Sequence, residues 1–444
     1  MKLTKIISMM LIFSMMCTLI SCEIFEKDTS DGTFAGIPAP TSPSEELPEE
    51  SIDEENKEND EDKKENDDEN DVSLPAGMIT AGAWVDNDNY EIWLELFAQA
   101  NEDEKDSVDG KFYNYTKPDK SWGFNSLKRV KINVTSNGVA VAGAVVDAFD
   151  LDGEKVFSAI TDASGNAYVF TNEDEGSITV TSGEASAVAS FSKDERELDV
   201  VLDSAIDKLN VIEIMFVVDV TGSMGDELNF LKAELADVVS KIVANDSETK
   251  IMLSFLFYRD GEDKVPFDFY EFVDVTNEEG MAMQQSALDK QSASGGGDYP
   301  EAVDEALEMA MKAQWSTGNV TKLIFHVLDA PAHQGEKYEE RFMNAVLTAA
   351  ENGIRINPII CSGAAELTEY TMRQAAIYTG GSFIFVTDDS RIGGEHHDPN
   401  LPNVTVELLN SMLVRLIKGY HTGEFDPPVY WKEDPNLAPS LVKE

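Results

Sequence analysis

Asp219, Thr221 and Ser223 fall at alternate positions in Asp219-Val220-Thr221-Gly222-Ser223-Met224, a spacing that turns one carboxylate and two hydroxyls toward a single point. Oxygen donors of this kind suit a hard divalent cation such as Mg²⁺, which keeps several of its waters and rarely accepts an all-protein cage. A second carboxylate, Asp329, stands in Leu328-Asp329-Ala330-Pro331, and the Gly-rich stretch from Ser294 to Glu301 places Asp298 just before Pro300. Pro at that point opens a helix. The chemistry offered is cation binding rather than catalysis. A phosphatase of the aspartyl-nucleophile kind needs a second Asp two residues after the first, and Thr221 occupies that place. GxSxG, HExxH and the Lys of a phosphate-binding loop are absent as well. Among the histidines, His326 lies in an apolar strand and reads as core. His333 follows Asp329 closely enough to meet a ligand, and His396-His397-Asp398 reads as a Gly-flanked surface loop rather than a transition-metal site.

The elements that must position these groups alternate between strand and helix. Residues 211–218 form a continuous apolar run of the kind buried on both faces of a parallel sheet, and 225–244 carry apolar residues at helical spacing. Further strands are expected at 251–258, 267–275, 323–328, 354–360 and 383–387, with helices at 300–313, 336–352, 367–378 and 405–419. The expected fold is a doubly wound α/β domain with a mostly parallel sheet, in which ligands gather at the carboxyl ends of the strands. Asp219 and Asp329 each close such a strand.

FVVDVTGSM, YRDGED, GGGDYPEAVDEAL and LDAPAHQG occur in this order, and together they resemble a von Willebrand factor A domain covering about residues 208–420. The resemblance implies a metal-ion-dependent adhesion site. Asp219, Thr221 and Ser223 match its DxSxS ligands, with Thr in place of the first Ser, and Asp329 matches the late aspartate. Asp298 stands where the family usually has Thr, so it binds through water or adds a third negative charge. The implied cofactor is Mg²⁺, or Mn²⁺ or Ca²⁺. The implied partner is a protein whose Asp or Glu completes the coordination. An envelope spacer, in which the cation only rigidifies loops, is the competing function, and a metal-dependent hydrolase a more distant one.

The remaining sequence describes how such a domain is delivered. Lys2 and Lys5 precede an apolar run over 6–20, too short for a typical spanning helix, that ends in Leu19-Ile20-Ser21-Cys22. That ending resembles the bacterial lipobox. It implies a signal peptide over 1–21, lipid on Cys22, and an extracytoplasmic place on the cell or outer membrane. Residues 22–75 read as a disordered tether, because 45–71 hold 16 acids against 3 lysines and no apolar periodicity. The net charge of −50 excludes nucleic acid as a ligand. Residues 76–205 are rich in strand and turn signals and are expected to form an all-β sandwich, similar to Ig-like or carboxypeptidase-regulatory-like modules. Within them, Asp86-Asn87-Asp88-Asn89 lacks the Gly and Glu that an EF-hand needs at positions six and twelve, where Glu91 and Phe97 stand. It reads as a turn, with Trp84, Trp93, Phe97 and Trp122 packing on the sandwich. Residues 421–444 read as a tail. Cys17 and Cys361 suggest no disulfide framework, and Cys361 reads as a buried thiol.

Overall fold

The computed structural model describes residues 75–99, 110–245, 248–261, 263–297, 299–439 and 441. Residues 1–21 read as a signal, Cys22, nearly all of the 22–75 stretch read as a tether, and Asp298 lie outside the described residues. Along the chain the first elements are β1 (Thr80–Trp84) and α1 (Tyr90–Leu96). Eight short strands follow, β2 (Arg129–Ser136), β3 (Val139–Ala140), β4 (Val145–Phe149), β5 (Lys155–Ile160), β6 (Asn166–Phe170), β7 (Gly176–Ser182), β8 (Ala185–Phe191) and β9 (Glu197–Leu202). The pattern then alternates through β10 (Val211–Asp219), α2 (Leu228–Asn245), β11 (Lys250–Tyr258), β12 (Phe267–Asp274), α3 (Glu278–Asp289) and α4 (Val303–Met311). It closes with β13 (Thr321–Leu328), α5 (Glu336–Glu351), β14 (Ile354–Ile360), α6 (Glu366–Thr379), β15 (Phe383–Val386), β16 (Glu407–Leu408) and α7 (Leu409–Thr422).

The large sheet runs β12-β11-β10-β13-β14-β15-β1-β16, with β11, β10, β13, β14 and β15 parallel. Every residue of β13 and β14, and all of β10 after Val211, is buried. Helices on both faces dictate this: Ile214, Phe216 and Val218 meet α2 and α7, while Met215 and Val217 meet the side of α4, α5 and α6. The chain leaves β10 to one side for β11 and returns to the other side for β13. The crevice between β10 and β13 is therefore a topological switch point, where the carboxyl ends of both strands open.

Residues 129–202 form two four-stranded sheets, β3-β2-β6 with β9 beside β2, and β5-β4-β7-β8, whose inward residues share one core cluster with α5 and α6. The stretch before them departs from expectation. β1 does not join either small sheet. It pairs antiparallel with β15 and β16 at the far edge of the large sheet. The aromatics Trp93, Phe97 and Phe112 gather edge-to-face with Tyr370 of α6, and Trp122 meets Phe342 of α5, within the same core cluster as the inward residues of the small sheets. A buried ion pair explains the attraction: Arg373 of α6, fully buried, is held by Asp86 and Glu369. The last segment also packs back, through buried Trp431 and an Ala438 amide that donates to the Gly77 carbonyl at 3.0 Å.

Three helix starts come later than the apolar spacing suggests. Gly222–Asp226 is a 3₁₀ turn before α2. The Glu301 amide donates to the Pro331 carbonyl, which delays α4. Glu407–Leu408 is drawn into β16 before α7 begins. The helix α3 carried no expectation.

Candidate metal centre

Asp219 is the last residue of β10 and is fully buried. Its Oδ1 accepts the Thr221 amide at 2.8 Å and the Thr221 hydroxyl at 2.7 Å. The Thr221 and Ser223 hydroxyls lie 3.1 Å apart. Asp329, one residue beyond β13, is buried, and the Ser223 hydroxyl favours the charged form of its carboxyl group. The structure therefore brings Asp219, Thr221, Ser223 and Asp329 together at the switch point. Asp298 lies outside the described residues.

The loop from Ser294 to Gly297 is stapled over this group by main-chain bonds, Ser294 to Val220 and Gly222 to Gly295, both at 3.0 Å. Arg259 holds the same loop from the other side, donating to the Ser294 carbonyl at 2.9 Å and the Ser292 carbonyl at 3.0 Å. Gly296 has φ +74°, and a Cβ there would stand 2.7 Å from Glu301 Oε1 and 3.1 Å from Thr221 Cβ. Only glycine allows the loop this close.

Charge in the site is uncompensated. Asp219 Oδ2, Asp329 Oδ1 and Glu301 Oε2 are buried without a hydrogen-bond partner among the described residues. Such oxygens forfeit their hydration, a penalty that a bound cation removes. Burial, then the nearby Asp329 charge, pushes Asp219 up to about 7, against the pull of the Thr221 amide and hydroxyl. Burial also raises Asp329, countered by the Ser223 hydrogen bond. Glu301 is pushed up to about 8 by burial and then by Asp219, Asp260, Asp329 and Asp263.

Glu301 was not among the residues expected at the site. Its only sequence signal is a carboxylate directly after the Gly-rich loop and Pro300. Asp260 and Asp263, from the YRDGED stretch, form the rim, with Asp263 accepting the Gly296 amide at 2.9 Å.

The donor set fits a hard cation: two buried carboxylates with spare oxygens and two hydroxyls within reach of them. Among the described residues no group of three or more His, Cys, Asp or Glu side chains is arranged as a metal cluster.

The histidines separate cleanly. His326 is fully buried against the Tyr258 hydroxyl at 3.1 Å, and burial lowers it to about 3, so it is core. His333 sits at the rim, its Nδ1 3.2 Å from the Glu301 carbonyl and its Nε2 3.9 Å from Asp260. His396 and His397 stand in a loop whose Gly394, Glu395 and Asp398 are exposed, but their rings turn inward. His396 is buried between Glu227 at 2.8 Å and Asp388 at 2.7 Å, while His397 pairs with Glu369 at 2.8 Å. Carboxylate partners, invisible in the local sequence, draw both rings inward. Cys361 is a buried free thiol.

Residues 213–387 match the family model described as von Willebrand factor A domain. A curated relative, alpha-protein kinase vwkA of Dictyostelium discoideum, is 24% identical over 164 residues, which is 35% of this chain and 24% of that protein. The chain thus spans about a quarter of the length of that relative. Among solved structures, the conserved hypothetical protein BatB from Bacteroides thetaiotaomicron is 15% identical at a TM-score of 0.30, covering 38% of this chain and 87% of its own. The pilus adhesin SpaC from Lactobacillus rhamnosus GG, in its open conformation, is 12% identical at a TM-score of 0.35, covering 57% and 33% respectively.

Proposed function

We propose that the von Willebrand factor A domain of this chain binds a protein partner through a divalent cation held by Asp219, Thr221, Ser223 and Asp329, with Asp298 beside it. The observation that carries this reading is the convergence of Asp219 Oδ2 and Asp329 Oδ1, both buried and unpartnered among the described residues, at the carboxyl ends of adjacent parallel strands. Mg²⁺ is the cation of first choice on donor chemistry, with Mn²⁺ and Ca²⁺ as substitutes. When bound, the cation supplies an open coordination position for a carboxylate oxygen of the partner. The chain's own residues set the dependence on it: the carboxylates of Asp260 and Asp263 stand at the rim of the site, so an acidic partner is repelled when the cation is absent. The role is binding, not catalysis.

The delivery of the domain belongs to the same proposal. Cys22, in the lipobox-like ending, carries the lipid that anchors the protein to a membrane on its extracytoplasmic side, and residues 22–75 hold the domain away from the bilayer. Among the described residues no helix is long and apolar enough to cross a membrane. The 129–202 sheets act as an Ig-like or carboxypeptidase-regulatory-like spacer.

Capture of envelope proteins by the full chain, with Mg²⁺ and with chelator, tests the binding role. Capture that requires Mg²⁺ and disappears in Asp329→Ala is expected. Capture indifferent to chelator overturns the reading in favour of a spacer. Fatty-acid labelling of wild type but not of Cys22→Ala tests the anchor separately, and equal labelling defeats it.

A further inference from the structure

A second cluster of charge lies at the opposite end of the large sheet. Lys208 precedes β10, Lys322 is the second residue of β13, and Arg355 is the second residue of β14, so all three stand at the amino ends of parallel strands. Together they line a cavity of about 590 Å³ between these strand ends and the Gly143 and Thr161 turns of the small sheets. In a chain of net charge −50, three cations sharing one cavity call for an explanation.

Nearby carboxylates offset these charges only in part: Glu213, opposite Lys322 in the β10–β13 register, acts on Lys322 and accepts the Ser316 amide at 3.0 Å. Asp162 and Glu351 are the acids lining the cavity. The Asp162 Oδ1 is occupied by the Ser164 and Asn166 amides, both at 2.8 Å, and Glu351 pairs with Lys155 at 3.1 Å. Arg355 is 9% exposed, and its guanidinium makes no hydrogen bond or ion pair among the described residues; it lies 5.8 Å from the centroid of the Tyr420 ring, with its Nε beside Gly380. A guanidinium carries five N–H donors and does not shed its proton, and no Arg355 nitrogen is among the sealed, unpartnered atoms, so the fork is open to the cavity with donors to spare. Lys208 spends donors on the His421 carbonyl and on His421 Nδ1, and Lys322 spends one on the Asn352 carbonyl at 3.2 Å. Each ammonium has three donors, which leaves at least one on each for a ligand. Burial, and then the charge of Arg355, lowers Lys208 to about 8, the mark of cations facing one another.

We propose that this cavity binds a small molecule through an oxyanion, a phosphate or carboxylate group, with the Arg355 fork as its main contact and Lys208 and Lys322 as supporting charges. The volume suits a compact ligand, and the apolar lining from Val145, Ile160, Ile206 and Trp315 gives room for a short carbon skeleton.

Calorimetric titration of the full chain with inorganic phosphate and, separately, with citrate, at ionic strength fixed with sodium chloride, tests the proposal. Wild type is expected to bind at least one of the two saturably with a single site, and which one identifies the oxyanion. Arg355→Gln should weaken that binding by about tenfold or more, the scale of a lost charge-assisted hydrogen-bond pair. Lys208→Gln should weaken it as well, and exposed Lys120→Gln should leave it unchanged. The proposal is overturned if neither anion binds saturably, or if Arg355→Gln and Lys208→Gln both bind as wild type does. Lys208→Gln decides the matter should Arg355→Gln fail to fold.

Discussion

Asp219→Asn removes one charge from a buried acidic cluster while keeping the side-chain size and the oxygen that accepts from Thr221. In the folded chain burial, and then the Asp329 charge, push Asp219 up to about 7 from its ordinary 3.8. That gap of about 3 pH units corresponds to about 4 kcal/mol, at 1.36 kcal/mol per unit. A carboxylate whose pKa is raised by folding favours the folded state only while it is protonated. Stability is therefore lost as pH climbs from 3.8 toward about 7, and the full penalty applies above that. Asp329 and Glu301 titrate in the same cluster, so about 4 kcal/mol is a ceiling for the single site. In chelator at pH 8, urea unfolding should find the variant more stable than wild type, by about 1–4 kcal/mol. At about pH 4 the two should nearly coincide. Saturating Mg²⁺ should then stabilise wild type and leave the variant unmoved, because only a native state that holds the cation gains from it. The reasoning is refuted if the variant is the less stable protein at pH 8 in chelator, or if Mg²⁺ stabilises both equally.

Arg373→Met removes the buried guanidinium that Asp86 and Glu369 share and should destabilise the fold by about 3–5 kcal/mol in urea unfolding; an unchanged midpoint contradicts the role given to this ion pair. Burial alone would lower the pKa of His396, but its hydrogen bonds to Glu227 and Asp388 raise it above 6.5. Its contribution to stability is complete below 6.5 and is lost as pH rises through the raised value, so His396→Gln should flatten the pH dependence of unfolding on that flank, and a parallel profile would count against it. Buried Glu234 accepts the amides of Gly77, Met78 and Ile79 at 2.7–2.9 Å, so Glu234→Leu should expose this segment to limited proteolysis; identical cleavage of variant and wild type would show that the clamp is dispensable.

Where the sequence was legible, local pattern and burial agreed. The run that became β10 is apolar throughout except for Glu213, and it is buried on both faces as such runs must be. The alternating oxygens of Asp219, Thr221 and Ser223 needed only the strand end to bring them together, and Asp329 arrived through the neighbouring strand. What escaped were features fixed by distant partners. Thr80-Ala81-Gly82-Ala83-Trp84 has a weak strand signal, and its place in the large sheet depends on β15, about 300 residues away. Asp86 looked like part of a polar turn because its partner, Arg373, lies 287 residues on. Glu301 read as the first turn of a helix. The Pro331 carbonyl and the Ala332 bridge turn it inward, and neither leaves a trace near residue 301.

Calorimetric titration of the full chain with Mg²⁺, and then with Mn²⁺ and Ca²⁺, addresses the central claim most directly, with Asp219→Ala measured beside wild type. Wild type should show one saturable site for Mg²⁺, because Asp219 Oδ2 and Asp329 Oδ1 are buried oxygens without hydrogen-bond partners among the described residues. Asp219→Ala should show none. Equal cation binding by the two proteins, or no saturable binding by wild type to any of the three ions, would contradict the assignment of this site.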